Sequence, residues 1–174
     1  MILGFSTQLN GKPTHFVEKI WKGLKENLSK ELHAQHEAQM TPEELTKPYE
    51  VDSAVYPLVK AKLHTIREDP KDRWKKGNNI DFFINVRKKD MFRFAPVLPV
   101  VSIQSVAMSY AYNDIIEISI NGQQLHCQKK ILEFIQNDGF DTWKDFFDYF
   151  YPIIQAKKDN WFEAKLIHWT DKFY

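Results

Sequence analysis

Two β-rich runs near the middle of the chain constrain the fold most. They are Val100 to Tyr112 and Ile115 to Ile120, and from Ile116 the second alternates isoleucine with other residues ahead of an Asn121-Gly122 turn. Alternation of this kind is typical of a strand with one buried face, and Asn-Gly is a strong hairpin signal. The sequence therefore predicts paired antiparallel strands here.

Further elements surround this hairpin. Residues 79–86 alternate apolar with polar and predict another strand, and apolar residues recur at helical spacing from Phe16 to Leu24, with Thr14 available as the cap. A second helix is predicted over Leu125–Gln136. Strands mixed with helices in this order predict the α+β class, as a small, mostly antiparallel β-barrel flanked by helices.

The last third of the chain carries a strongly aromatic helix. After a break at Asp138-Gly139, Asp141 is predicted to cap a helix, and Trp161 to Trp169 predicts a closing strand. The three- and four-residue spacing of the helix's apolar stripe is typical of a core face. The stripe consists of Trp143, Phe146, Phe147, Phe150 and Ile154.

Length and composition favour one globular domain over residues 1–174, with a helical insertion at about 25–57. A single cysteine, Cys127, excludes a disulfide scaffold and favours a reducing cytoplasm. The longest apolar stretch, Phe94 to Ile103, is interrupted by Pro96 and Pro99, so no membrane span is expected. The N-terminus has no basic leader, and we expect no signal peptide.

Charge is distributed unevenly, although the net charge is only +1. Lys60 to Arg93 holds 11 Lys and Arg against 5 Asp and Glu, and the rest of the chain holds 13 against 18. This asymmetry predicts either a basic face that attracts phosphate groups or a solvated charged surface.

A motif in this basic segment resembles a known family. Lys62-x-x-Thr65-Ile66-Arg67 followed by a Lys76-Gly77 turn, together with the later Asp138-Gly139-Phe140-x-x-Trp143-x-x-Phe146, is similar to the signature of the ASCH domain, a branch of the PUA-like superfamily. The resemblance covers most of residues 1–24 and 58–174. It implies a small barrel with a cleft for RNA or nucleosides.

The resemblance also implies candidate catalytic residues. Some members are amidohydrolases that remove the acyl group of acetylcytidine, and others are reported as ribonucleases. Lys62, Thr65 and Asp138 match the catalytic positions, although the family's acid is a glutamate. In such a mechanism Lys62 is the base for the Thr65 hydroxyl and Asp138 protonates the leaving amine. The alternative is that Thr65 bonds a turn and Lys62 is solvated.

Five further residues are candidates for ligand binding: His64, Arg67, Trp74, Lys75 and Lys76. The fork of Arg67 suits a phosphate or base edge, or an ion pair with Glu68 or Asp69. Trp74 stacks on a base or covers the core. His64 titrates near neutral pH or fills a barrel cavity.

No cofactor or metal is expected. His33-x-x-His36 lacks a third ligand nearby, and the chain has neither a phosphate-binding glycine loop nor a dinucleotide fingerprint. The function predicted is binding of RNA or a small modified nucleoside. An amidohydrolase acting on acetylcytidine-like nucleosides is the main alternative, and a protein-interaction module using residues 25–57 is the second.

Overall fold

The computed structural model describes residues 1–27, 58–111 and 115–174, together with Ala34 and Val55. The elements in chain order are β1 (Ile2–Phe5), β2 (Gln8–Leu9), β3 (Lys12–Pro13), α1 (Phe16–Asn27), β4 (His64–Arg67), β5 (Asn79–Ile84), β6 (Phe92–Arg93), β7 (Leu98–Pro99), β8 (Ser102–Ala111), β9 (Ile115–Ile120), β10 (Gln123–Gln124), α2 (Gln128–Asn137), α3 (Trp143–Gln155) and β11 (Phe162–His168). The α+β class is confirmed. The insertion predicted at about 25–57 lies outside the described residues beyond Asn27.

The chain divides into two compact units. The first comprises Met1–Lys62 and Asn78–Pro99, and the second comprises Leu63–Gly77 and Val100–Tyr174. Among the described residues the strands form separate sheets, and none closes into a barrel, so barrel closure is not confirmed. Nor does any helix in this part of the chain have the length and apolar character needed to cross a membrane.

The first unit is built on β5. Strand β1 pairs with it in parallel, and β6 and β7 pair with it antiparallel. The predicted alternation holds, because Ile80, Phe82 and Ile84 are buried between more exposed neighbours. The predicted cap of α1 was wrong by one residue, because His15 precedes Phe16 and its carbonyl accepts the first helical hydrogen bond, from Lys19 N at 2.9 Å, whereas the Thr14 hydroxyl accepts from Phe16 N at 3.4 Å.

The second unit contains an antiparallel sheet with the strand order β10-β9-β8-β11-β4. The predicted hairpin is confirmed, since Asn121 and Gly122 join β9 to β10 with φ of 50° and 77°. Positive φ at both turn residues gives a twist that matches the strands, which explains the choice of Asn-Gly.

Helices α2 and α3 follow the sheet. Asp138-Gly139 ends α2 as predicted, with Gly139 at φ 95° and Phe140 N donating to Ile135 O at 3.0 Å. The predicted cap of α3 was wrong by one residue. Thr142 is extended, and its hydroxyl accepts from Asp145 N at 3.1 Å, so Thr142 rather than Asp141 caps the helix.

Candidate functional site

Strand β4 carries the Thr65-Ile66-Arg67 part of the predicted motif and forms one edge of the second sheet. Successive residues of a strand point to opposite faces, so His64 and Ile66 share one face and Thr65 and Arg67 the other. Thr65 is only 3 % exposed and His64 is fully buried. The motif is therefore built into the packed edge of the sheet.

The end of α2 covers this edge. Leu63 N donates to Asn137 O and Ile66 N donates to Asp138 Oδ1, each at 2.9 Å. These contacts satisfy backbone groups that an edge strand otherwise leaves unpaired. Asp138, predicted as a catalytic acid, thus has a structural partner in the backbone of β4.

A buried polar chain runs from the same carboxylate. Asp138 Oδ1 lies 3.6 Å from His64 Nδ1, and His64 Nε2 lies 2.8 Å from the Tyr174 hydroxyl, which also accepts from Asn137 Nδ2 at 2.8 Å. The carboxylate favours the proton on Nδ1, so the Tyr174 hydroxyl donates to Nε2. Burial raises the pKa of Tyr174, which keeps this phenol protonated.

The charge of Asp138 also acts on Arg67. Burial lowers the pKa of its guanidinium, and the Asp138 carboxylate opposes that shift. Two predicted site residues of the second unit, His64 and Asp138, are therefore neighbours, and the Asp138 charge also acts on a third, Arg67.

Lys62 belongs to the first unit. Its side chain is 1 % exposed, and its Nζ lies 4.9 Å from the ring centroid of Phe16 and 5.9 Å from that of Phe5. An ammonium over an aromatic face is stabilised by the ring quadrupole. Because Thr65 and Asp138 belong to the second unit, convergence of the three predicted catalytic residues stays a prediction.

Residues 70–77, which we call the basic loop, follow β4. Their cations Lys71, Arg73, Lys75 and Lys76 are all exposed. Trp74 is 6 % exposed. It therefore packs in the core, which is one of the two roles that the sequence left open. The cations of the loop are therefore exposed to solvent, and the buried Trp74 indole holds the loop in place.

Polar contacts add to this anchor. Trp74 N donates to Asp69 Oδ2 at 2.7 Å, and Lys165 Nζ donates to Asp69 Oδ2 at 2.9 Å and to Trp74 O at 2.8 Å. Lys165 also contacts Asp72. Sequence reasoning missed Lys165, because only the register of β11, which sets Lys165 opposite Arg67, brings it beneath the loop.

The carboxylates near the loop are already engaged by lysines. Asp72 is paired with Lys75 as well as Lys165. Within the described ranges, no ion pair involves Lys71, Arg73 or Lys76. Three cations of one anchored loop are therefore available to an anionic ligand.

A groove of about 730 Å³ lies on the open face of the second sheet. Ser105, Ala107 and Ser119 contribute small side chains to its lining, and Trp161, which is 49 % exposed, stands beside them. Trp161 Nε1 donates to Glu163 Oε1 at 2.9 Å. The sequence predicted only a strand at Trp161, and its exposed ring was not recognised as a candidate.

Comparison with protein-family models, with curated proteins and with solved structures gives no match. The ASCH resemblance stays a prediction. His33 and His36 lie outside the described residues, and among those described no group of three His, Cys, Asp or Glu side chains is arranged to hold a metal ion.

The anchor of the basic loop gives a testable prediction. Burial raises the pKa of Asp69, but hydrogen bonds from Trp74 and Lys165 outweigh it and lower the pKa to about 2. Charged hydrogen bonds contribute about 1.5–3 kcal/mol, so we expect Asp69→Asn to reduce amide-exchange protection across residues 70–77 by about 10- to 100-fold. Exposed Asp171→Asn is the control.

The same anchor predicts a pH dependence. Because the folded pKa of Asp69 is depressed, its stabilising contribution is present above about pH 4 and is lost as pH falls through about 2. The wild-type loop should therefore lose protection over this interval. Unchanged exchange in Asp69→Asn and at low pH would show that Asp69 does not anchor the loop.

Proposed function

We propose that this protein binds RNA through the basic loop. The observation that carries the proposal is the group Lys71, Arg73 and Lys76, three exposed cations on one anchored segment. Lysine and arginine side chains bind the phosphate backbone and release its counterions, which supplies most of the affinity in non-specific binding.

The anchoring favours binding over a merely solvated charge run. Cations held close together repel one another, and here the buried Trp74 ring and the contacts of Lys165 keep the loop in place. A fixed array loses less conformational entropy when it meets a ligand than a mobile one does.

Burial also favours binding over hydrolysis. Thr65 is 3 % and Lys62 1 % exposed, whereas a nucleophile and its base must reach the substrate. Hydrolysis of an acylated cytidine and recognition of a modified nucleoside by this motif stay predictions.

The test is binding of a fluorescent single-stranded RNA measured by anisotropy at several salt concentrations. Three phosphate contacts predict a slope of about −2 in log K against log salt, or a loss of about 20-fold between about 50 and 200 mM. The triple variant Lys71→Glu/Arg73→Glu/Lys76→Glu should weaken binding by about 100-fold or more and flatten the slope.

A second triple variant controls for net charge. Lys129→Glu/Lys144→Glu/Lys158→Glu makes the same charge change at exposed positions outside the loop and should retain most of the affinity. Salt-independent binding, or equal losses in the two triple variants, would overturn the basic loop as the RNA site.

A further inference from the structure

We propose that the groove on the open face of the second sheet stacks a nucleobase on Trp161, so that the ligand is single-stranded RNA with its bases exposed. This inference rests on the proposed function and names the class of RNA and a second contact. Double-stranded RNA does not fit, because its bases are stacked within the helix and only their edges are accessible.

The sheet provides a floor of small side chains for a base. Ser105, Ala107 and Ser119 lie on one face, with Ala107 paired to Ser119 in register and to Glu163 on the other side. Helix α3 packs on the opposite face, where the ring of Phe150 lies 5.8 Å from that of Phe162. The small side chains therefore leave room for a planar group.

Trp161 provides the stacking surface. About half of its side chain is exposed, and the hydrogen bond from its Nε1 to Glu163 Oε1 restricts the orientation of the ring. A preoriented indole loses little rotamer freedom when a base stacks on it. Stacking on an aromatic side chain tolerates every base, since each has a π-face.

The charges of the groove are compatible with an RNA strand. Glu68 is paired with Lys157, and Asp69 is paired with Lys165. The third carboxylate of the groove is Glu163. One of its oxygens accepts from the Trp161 indole, and the second oxygen is a further acceptor beside that ring. A carboxylate oxygen accepts from an exocyclic amine such as that of cytosine, whereas the corresponding position of uracil is a carbonyl acceptor. We therefore expect cytosine to be preferred to uracil.

The groove adjoins the basic loop. Asp69 and Pro70 line the groove, and Lys71 follows them in the chain. Lys165 Nζ bonds both Asp69 in the groove and Trp74 O in the loop. A strand whose phosphates contact the loop therefore brings a neighbouring base to the groove.

The first experiment compares wild type with Trp161→Ala, using oligocytidine, oligouridine and an abasic strand of equal length. We expect Trp161→Ala to weaken oligocytidine binding by about 5- to 150-fold with an unchanged salt slope. Trp161→Phe should restore part of the loss, and removal of another exposed ring, Phe173→Ala, should have little effect. Equal affinity of wild type and Trp161→Ala would overturn base stacking and leave the proposed function standing.

Glu163→Gln tests base preference. Glutamine keeps an oxygen for the Trp161 indole and replaces the second oxygen by an N–H donor. The preference for oligocytidine should then shift toward oligouridine. An unchanged preference would show that Glu163 does not distinguish cytosine from uracil.

The second experiment separates the groove from the loop. Millimolar cytidine, which has no phosphate for the loop to bind, should shift the Trp161 indole N–H resonance, assigned with Trp161→Phe, in wild type and in Lys71→Glu/Arg73→Glu/Lys76→Glu alike. If wild type binds no oligonucleotide but the shift persists, the proposed function fails and the groove remains a nucleobase site. If the resonance responds to an arginine-rich peptide and not to cytidine, the groove is a protein-binding site and the nucleobase proposal fails.

Discussion

Asp138→Ala is expected to lower the free energy of unfolding by about 3–5 kcal/mol, because it removes one partner from a buried charged cluster. The Asp138 carboxylate accepts from Ile66 N at 2.9 Å and lies 3.6 Å from His64 Nδ1. Without it, a buried backbone donor loses its acceptor and Arg67 loses a compensating charge. Urea unfolding followed by tryptophan fluorescence measures the loss.

Two further variants make the Asp138 result specific. Asp138→Asn keeps an oxygen for Ile66 N and removes the charge, so it should cost about half as much as alanine. Asp171→Ala, at an exposed carboxylate, should change the free energy by no more than about 0.5 kcal/mol. A loss below about 1 kcal/mol for Asp138→Ala would refute its structural role and return attention to the catalytic role predicted from the sequence.

His168 is expected to make the fold less stable as the pH falls from 7 to 4. Its ring is fully buried, and in the described part of the chain neither ring nitrogen has a hydrogen-bond partner. Burial lowers the pKa of His168 to about 3, and the charges of His64 and Lys172 act in the same direction. Tyr174 also faces this ring, with the centroids 6.2 Å apart.

The sign follows from proton linkage. Between about pH 6.5, the usual pKa of unfolded histidine, and about pH 3, the unfolded chain binds a proton at His168 that the folded chain does not. The contribution of His168 to the free energy of unfolding is thus complete above pH 6.5 and declines as the pH falls, by on the order of 3 kcal/mol at pH 4.

The measurement is the free energy of unfolding across this pH range in wild type and His168→Leu. The variant should lose this part of the pH dependence whatever its absolute stability, whereas His126→Leu, at an exposed histidine, should keep it. Parallel pH profiles for wild type and His168→Leu would contradict burial of the neutral imidazole.

The local elements of this protein were predictable from residues close together in the chain. The alternation in β5, the Asn121-Gly122 turn and the buried stripe of Phe146, Phe150 and Ile154 in α3 all match the structure. Strand and helix periodicity act over a few residues, so a short segment contains the signal. The cap of α3 was missed by one residue because Asp141 and Thr142 are both good caps, and backbone conformation decides between them.

Tertiary structure decided which side chains are available. The sequence identified His64, Arg67 and Asp138 separately, and the contact of α2 with the edge of β4 brings Asp138 within 3.6 Å of His64 and lets its charge act on Arg67. The sequence did not indicate that Thr65 is buried or that Trp161 is exposed. Exposure depends on what covers each face of a sheet, and that cover comes from distant segments.

The sequence by itself therefore determined the α+β class, the central hairpin and the basic character of the loop. Strand register decided how that loop is held, because Lys165 reaches Trp74 across 91 residues of chain. Such a contact forms only after β11 has paired with β4, and a shift of one residue would turn Lys165 to the other face of the sheet. No pattern within the loop encodes that pairing.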